Sequence, residues 1–252
     1  MKKVFTIVIG LFLLLIPLQT IAKEWNEWNQ LVDESIQLVK QDEYEKAKQM
    51  LSSATGFPVA VSSPEHSRVI SLAYDKALEA IDIGSKQDKE DNLLALRLVI
   101  DAEGSNIQPL WLNRQETVIS AFQGMEASLA KQDNTEFQYA LNQFLRQFDI
   151  IYPSLTLDLS EKQLQQLNSD LSYLDQSRNA IVKQSDSKQR LQLIRGDVES
   201  VFLYPKGKDA DFSLVWMMIM TGGIIIFTLT YVGFRKYKGE QEKKKQLKSK
   251  DS

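Results

Sequence analysis

Apolar residues recur at helical spacing along most of the chain. Trp25, Trp28, Leu31, Val32, Ser35, Ile36 and Val39 follow i, i+3, i+4 and i+7, which places them on one face of a helix. Leu72, Ala73, Ala77, Ala80 and Ile81 do the same, as do Phe137, Ala140, Leu141, Phe144, Leu145 and Phe148. Alternating runs rich in Val, Ile and Thr, which would mark strands, are nearly absent. The spacing predicts helices near 24–40, 43–53, 64–83, 89–103, 109–131, 134–149, 160–184 and 187–203, with linkers at 52–62, 104–108, 150–159 and 204–213. The expected fold is therefore all-α, about eight helices paired as antiparallel hairpins around a shared core.

Capping signals sharpen several of these ends. Ser63-Pro64 gives an N-cap followed by proline at the first helical position. Pro109 can open another helix after the Gly104-Ser105-Asn106 turn, and Ser160-x-x-Gln163 is a capping box. An internal echo accompanies them. Lys40-Gln41-Asp42 returns as Lys86-Gln87-Asp88 and as Lys131-Gln132-Asp133, at spacings of 46 and 45, with a looser copy at Lys183-Gln184-Ser185-Asp186. A lysine at a helix C-terminus followed by an aspartate N-cap suits a tight helix–helix turn, so each copy is expected to join two helices. Tyr44-x-x-Ala47-x-x-x-Leu51 resembles the second helix of a tetratricopeptide-type unit, but the other positions of that repeat are missing.

Two apolar runs lack this amphipathic pattern. Lys2 and Lys3 precede the run Val4 to Ile16, Pro17 breaks it, and Thr20-Ile21-Ala22 offers a cleavage site. Residues 1–22 thus read as a secretory signal, with an uncleaved anchor as the alternative. Leu214 to Phe234 is a stretch of 21 residues without a charge, long enough to cross a hydrocarbon core of about 30 Å. Trp216, Tyr231 and Tyr237 fall near its boundaries, where amphipathic rings prefer the headgroup layer.

The formal net charge is only −3, but it is unevenly distributed. Residues 235–252 carry +5 and residues 23–213 carry −10. The excess of basic residues places the tail in the cytoplasm and residues 23–213 outside, a single-pass type I arrangement. The tail, with Arg235, Lys236, Lys238, Lys243, Lys244 and Lys245, serves as a stop-transfer signal and can touch anionic lipid headgroups. No aromatic-interleaved fold surrounds it, so a nucleic-acid role is not expected.

Candidate chemistry is sparse. There is no cysteine, which excludes disulfides, thiolate metal sites and cysteine nucleophiles. No P-loop, G-x-G-x-x-G, H-E-x-x-H, calcium loop or G-x-S-x-G occurs. No catalytic, metal or cofactor-binding residue is assigned, and no cofactor is expected. His66 is the only histidine and is read as a surface residue, with Glu65 or Asp75 as possible partners. Asp82, Asp101 and Glu103 end apolar helical stretches and are the acidic residues singled out for a carboxylate cleft, though solvated helix faces explain them as well. Trp25, Trp28 and Trp111 could form a partner-contact surface; core packing is the simpler account of the same residues.

Several blocks carry a family resemblance. They are Leu98-Val99-Ile100-Asp101-Ala102, Gln108-Pro109-Leu110-Trp111, Ile151-Tyr152-Pro153-Ser154, Thr221-Gly222-Gly223-Ile224, and Tyr231-Val232-Gly233-Phe234-Arg235-Lys236-Tyr237-Lys238-Gly239. Together with the layout of signal, helical domain, apolar helix and basic tail, they resemble the YpjB family of sporulation proteins from endospore-forming Bacillus-type bacteria. The resemblance implies a sporulation role in the mother cell of a Gram-positive organism, and it supplies no catalytic residues. The expected function is a membrane-anchored, non-enzymatic interaction or scaffold module with an envelope protein partner. The alternative is an envelope enzyme or ligand sensor with a carboxylate-lined cleft.

Overall fold

The computed structural model describes residues 16–53, 63–104, 108–184 and 186–203, and individual residues between 221 and 239. The chain divides into two compact units, Met1–Tyr204 and Pro205–Ser252. In the first unit the described residues form eight α-helices and no strand. They are α1 (Ile16–Lys40), α2 (Tyr44–Ser52), α3 (Pro64–Ile83), α4 (Lys86–Gly104), α5 (Gln115–Ala130), α6 (Asn134–Asp158), α7 (Glu161–Gln176) and α8 (Ser187–Val201). Short 3-10 turns at Leu110–Arg114 and Ile181–Lys183 lead into α5 and α8.

The apolar spacing sets the packing. On α1, Trp25, Trp28, Val32, Ser35 and Val39 are all buried, and Ala47 and Leu51 of α2 join the same core. On α3 the buried positions are mostly alanines, which lets α4 approach closely. Helix α4 is apolar on two sides. Leu93, Leu96, Val99 and Ile100 join the core made with α1 to α3, whereas Ala95 and Leu98 join the core made with α5 to α8. The second core centres on α5 and α6, where Phe122 meets Phe144 edge-on at 5.0 Å, and Phe148 stacks at a tilt on Phe144. The pairs α1–α2, α3–α4 and α5–α6 pack as hairpins, and α4 ties the first half to the second through α1, α3 and α6.

Several sequence expectations change in detail. Residues 150–159 are not a linker, because α6 continues to Asp158 with Pro153 inside it. Proline in a helix interior costs about 3 kcal/mol. Burial of Ile150, Ile151, Leu155 and Leu157 offsets that, at about 1.5–3 kcal/mol for each side chain. The region 109–131 is a 3-10 turn followed by α5, and 160–184 ends as a helix at Gln176. The Ser63 and Ser160 caps form as expected. Ser63 Oγ accepts from the His66 amide at 3.1 Å, and Ser160 and Gln163 exchange both bonds of a capping box.

The Lys-Gln-Asp echo joins consecutive helices at 40–42 and 131–133, as expected, but not at 86–88, and its copies do not share one capping pattern. Only Asp133 caps the following helix through its side chain, accepting from the Glu136 amide at 2.9 Å. Lys86-Gln87-Asp88 forms the first turn of α4, because Ser85 takes the N-cap place and Asp88 answers it from three residues on. Asp42 lies in the left-handed region at φ 62°, Glu43 stands at the N-cap of α2, and Asp186 makes no side-chain cap bond.

The terminal segments fall largely outside the described residues. Residues 1–15 and 214–220 are not described, and α1 begins at Ile16, ahead of the expected signal junction at Ala22. Within the apolar stretch, Thr221, Gly222, Gly223, Ile225, Ile226, Thr228, Thr230 and Tyr231 are helical. No helix among the described residues is long and apolar enough to cross a membrane. Of the tail residues named above, Arg235 and Lys236 are helical, and Lys238, Lys243, Lys244 and Lys245 lie outside the described residues.

Candidate functional site

A cleft of about 500 Å³ opens where α3, α4 and α6 meet. The size is within the range of small-ligand sites, about 300–1,000 Å³. Helices α4 and α6 each contribute a polar stripe beside the buried face. On α4, Asp88, Asp91, Asn92 and Ala95 follow i, i+3, i+4 and i+7. On α6, Asn142, Arg146, Asp149 and Tyr152 line the cleft, whereas Leu141, Phe144, Phe148 and Ile151 turn into the core. Lys76 comes from α3, between the buried Ala73 and Ala77.

Most of these groups are tied to one another. Asp91 accepts from Arg146 Nε and from Gln87 Nε2, the latter at 3.0 Å. Asp88 holds the Ser85 hydroxyl at 2.5 Å and its amide at 3.0 Å, and these bonds keep its carboxyl below the usual carboxylate range. Tyr152 donates to Asn168 at 2.7 Å. Asp149 is different. The protein atoms around it strip part of its hydration and raise its carboxyl above the usual range, against the opposing pull of Lys76. No ion pair within 4.0 Å joins the two. Arg146 keeps its Nη2 buried without a hydrogen-bond partner. Pro153, which also borders the cleft, removes the amide that would serve the Asp149 carbonyl in a regular helix.

The residues singled out from the sequence lie elsewhere. Trp25, Trp28 and Trp111 are 3%, 9% and 0% exposed, so all three belong to the core and none offers a contact surface. Trp111 donates its indole N–H to Asp158 at 2.7 Å, which satisfies its one polar atom inside the protein. His66 is partly buried and pairs through Nδ1 with Glu103 at 2.7 Å, in place of Glu65 or Asp75. Asp82 bonds Lys48 at the surface, and Asp101 accepts the Leu110 amide at 2.7 Å, which anchors the turn before α5. Asp82, Asp101 and Glu103 therefore do not converge on one cleft. Among the described residues, no group of three or more histidine and acidic side chains could hold a metal ion.

A buried charge lies between α7 and α8. Asp170 is 1% exposed, and its carboxyl is within hydrogen-bonding reach of Asp197. Gln166 Nε2 spans both at 3.3 and 3.1 Å, and Arg190 reaches Asp170 at 3.2 Å. Burial raises the Asp170 carboxyl above its ordinary range, and the neighbouring Asp197 adds to the effect.

None of the cleft residues was assigned to a site from the sequence. A signal was present in the polar i, i+3, i+4 stripes that run beside the apolar faces of α4 and α6. It does not separate a cleft from an ordinary solvated face until the third helix is in place.

Comparison with known proteins gives a consistent result. A family model described as "Sporulation protein YpjB" matches residues 25–246. The chain is 33% identical over 232 residues to a Bacillus subtilis (strain 168) protein called "Uncharacterized protein YpjB", and 87% of each chain is covered. No solved structure matches significantly. The family match spans nearly all of the helical domain and continues into the C-terminal segment, so this chain belongs to the sporulation protein YpjB family.

Proposed function

We propose that this protein is a membrane-tethered module of the sporulating cell. Its helical domain, held outside the cytoplasm, binds another component of the cell envelope at the α3–α4–α6 cleft and performs no chemistry of its own. The observation that carries this reading is the commitment of the cleft carboxylates. Asp91 is bound to Arg146, and Asp88 is spent on the start of α4. Acid–base catalysis uses two carboxyl groups whose environments push their pKa values apart. Asp88 and Asp149 are pushed apart, but Asp88 by its capping bonds, which would break if it moved a proton.

The tether rests on sequence. Leu214 to Phe234 carries no charge, and the basic tail that follows contrasts with the acidic helical domain. Confinement to a membrane face raises the effective concentration of a co-resident partner, so weak contacts suffice. The basic tail adds attraction to anionic headgroups. A second reading, carboxylate chemistry in the cleft, draws on the raised carboxyl of Asp149. Export of the helical domain without the 214–252 segment separates location from fold. We expect sporulation to be impaired although the domain is folded and secreted. Normal sporulation from the untethered domain would contradict the tethered reading.

A further inference from the structure

Helix α3 carries a stripe that no described residue covers. Leu72, Lys76, Glu79 and Ile83 follow one another at spacings of four, three and four residues, which keeps them on one face of the helix. All four are exposed, and the two apolar members strongly so, Leu72 at 52% and Ile83 at 80%. The buried face of α3 is a different one, with Ile70, Ala73, Ala77, Ala80 and Ile81. Lys76 and Glu79 stand three residues apart, yet no ion pair or side-chain hydrogen bond joins either of them to the other or to another described residue.

The order apolar, positive, negative, apolar is its own complement. Reversed about the midpoint between Ala77 and Leu78, the stripe sets Leu72 against Ile83 and Lys76 against Glu79, and each pairing occurs twice. Spacing of three and four residues is what lets two helices interlock along their length at a shallow angle. An antiparallel pair of this kind is isologous, one patch meeting itself across a two-fold axis. A parallel pair in register would set Lys76 against Lys76 and Glu79 against Glu79, which like charge disfavours. The flank of the stripe agrees. Asp82 is tied to Lys48 of its own chain at 2.6 Å, so it sets no uncompensated charge against Asp75 of a second copy.

We propose that α3 is a dimerisation helix: two copies of this chain pair antiparallel through it, with Leu72 packed on Ile83 of the second copy and Lys76 bound to Glu79 of the second copy. The apolar ends supply the burial, and the two central ion pairs fix orientation and register. Lys76 also lines the α3–α4–α6 cleft, so the second copy brings its Glu79 to the edge of that cleft. One helix pair is smaller than a standard interface of about 1,600 Å², so the association is weak in free solution. Two copies held in one membrane, as in the tethered reading above, meet at a higher effective concentration.

The chain has no cysteine, so introduced cysteines report the pairing without background. The full-length Leu72→Cys and Ile83→Cys variants are produced together in one cell, distinguished by tags of different size, and treated with a short bismaleimide. In the antiparallel pair, position 72 of one copy meets position 83 of the other. Two copies of either position lie eleven residues, about 16 Å, apart along the helix, beyond the reach of the reagent. The mixed dimer is therefore expected, with little or none from either variant alone. Glu79→Lys sets a lysine against Lys76 of the second copy and should lower the mixed dimer about fivefold or more, and adding Lys76→Glu to it should restore the dimer. All four positions are exposed, and the thermal midpoint of each variant verifies its fold. No mixed dimer, a Leu72→Cys dimer with itself, or a mixed dimer indifferent to Glu79→Lys would overturn the proposal. A crosslink to another protein in place of the mixed dimer would overturn it as well, because the stripe would then belong to a different partner. Membrane fractionation of the same cells reads the tether separately: protein that sediments with membranes and gives no mixed dimer overturns the pairing and leaves the tether standing.

Discussion

Lys86 Nζ lies 2.8 Å from Asp42 Oδ1 and 3.1 Å from the Lys40 carbonyl, so the residue that begins α4 closes the end of α1. The two residues belong to two copies of the same tripeptide, 46 positions apart. The echo in sequence therefore brings its own copies into contact, although they occupy different places in their helices. Both groups are exposed, and exposed pairs add little to stability. Their bonds keep the Asp42 carboxyl low and the Lys86 ammonium high.

The neighbouring Lys89 is the more consequential cation. It is 6% exposed, donates to the Ala80 and Ile81 carbonyls at 3.0 and 2.5 Å, and lies 4.8 Å from the centre of the Tyr44 ring. It thus closes the C-terminus of α3 from inside the fold. Lys89→Met keeps the stem and loses the charged head, and should cost about 2 kcal/mol in chemical denaturation. Lys86→Met should leave the denaturation midpoint nearly unchanged.

Gly104 and Gly124 make a matched pair. A methyl group at Gly104 would meet Trp25 Cγ at 2.7 Å and its Cβ at 2.9 Å, and Trp25 is buried and cannot yield. Gly104→Ala should destabilise by about 1–3 kcal/mol. Gly124, inside α5, has open space around it, so Gly124→Ala should stabilise by up to about 1 kcal/mol through helix propensity. The test is the opposite sign of the two shifts in one denaturation series.

The Asp170–Asp197 contact predicts a pH dependence. The folded protein holds the Asp170 carboxyl above its unfolded value, first by burial and then by its neighbour. Its contribution to stability is therefore fully present below the unfolded pKa, about 3.9, and is lost as pH rises through the higher folded value. Asp42 and Asp88 are shifted the other way, so the comparison must be with a variant of the pair. Asp197→Asn removes the like charge and keeps a partner for Gln166. Stability measured between about pH 4 and pH 8 should fall less steeply in Asp197→Asn than in the wild type. Parallel curves would refute a contribution of Asp197 to the raised Asp170 carboxyl.

Helix existence was legible in the sequence, and helix tertiary role was not. The 3- and 4-residue spacing of Trp25, Trp28, Val32, Ser35 and Val39 gave α1, and Ser63-Pro64 gave the start of α3. Pro153 misled, because the apolar pattern on both sides of it sustains α6 through a residue that ordinarily ends helices. The echo misled because one serine, Ser85, shifts its second copy into the helix. The cleft was hidden for another reason. Asp91, Arg146, Asp149 and Lys76 lie on three helices, and in sequence each is an ordinary polar position beside an apolar face. Only the crossing of α3 and α4 with α6 makes them neighbours. The family, in contrast, was readable from short blocks such as Ile151-Tyr152-Pro153-Ser154, since those need no neighbours to be recognised.

The central claim is that the α3–α4–α6 cleft is where this domain meets its envelope component. A photoreactive residue at Asn142, exposed on the cleft wall, tests it directly in cells entering sporulation, with Leu193 on α8, also exposed, as the control position. The account predicts an adduct at position 142 that depends on the 214–252 segment, with little or none at position 193. Adducts at position 193 and none at position 142 would contradict it.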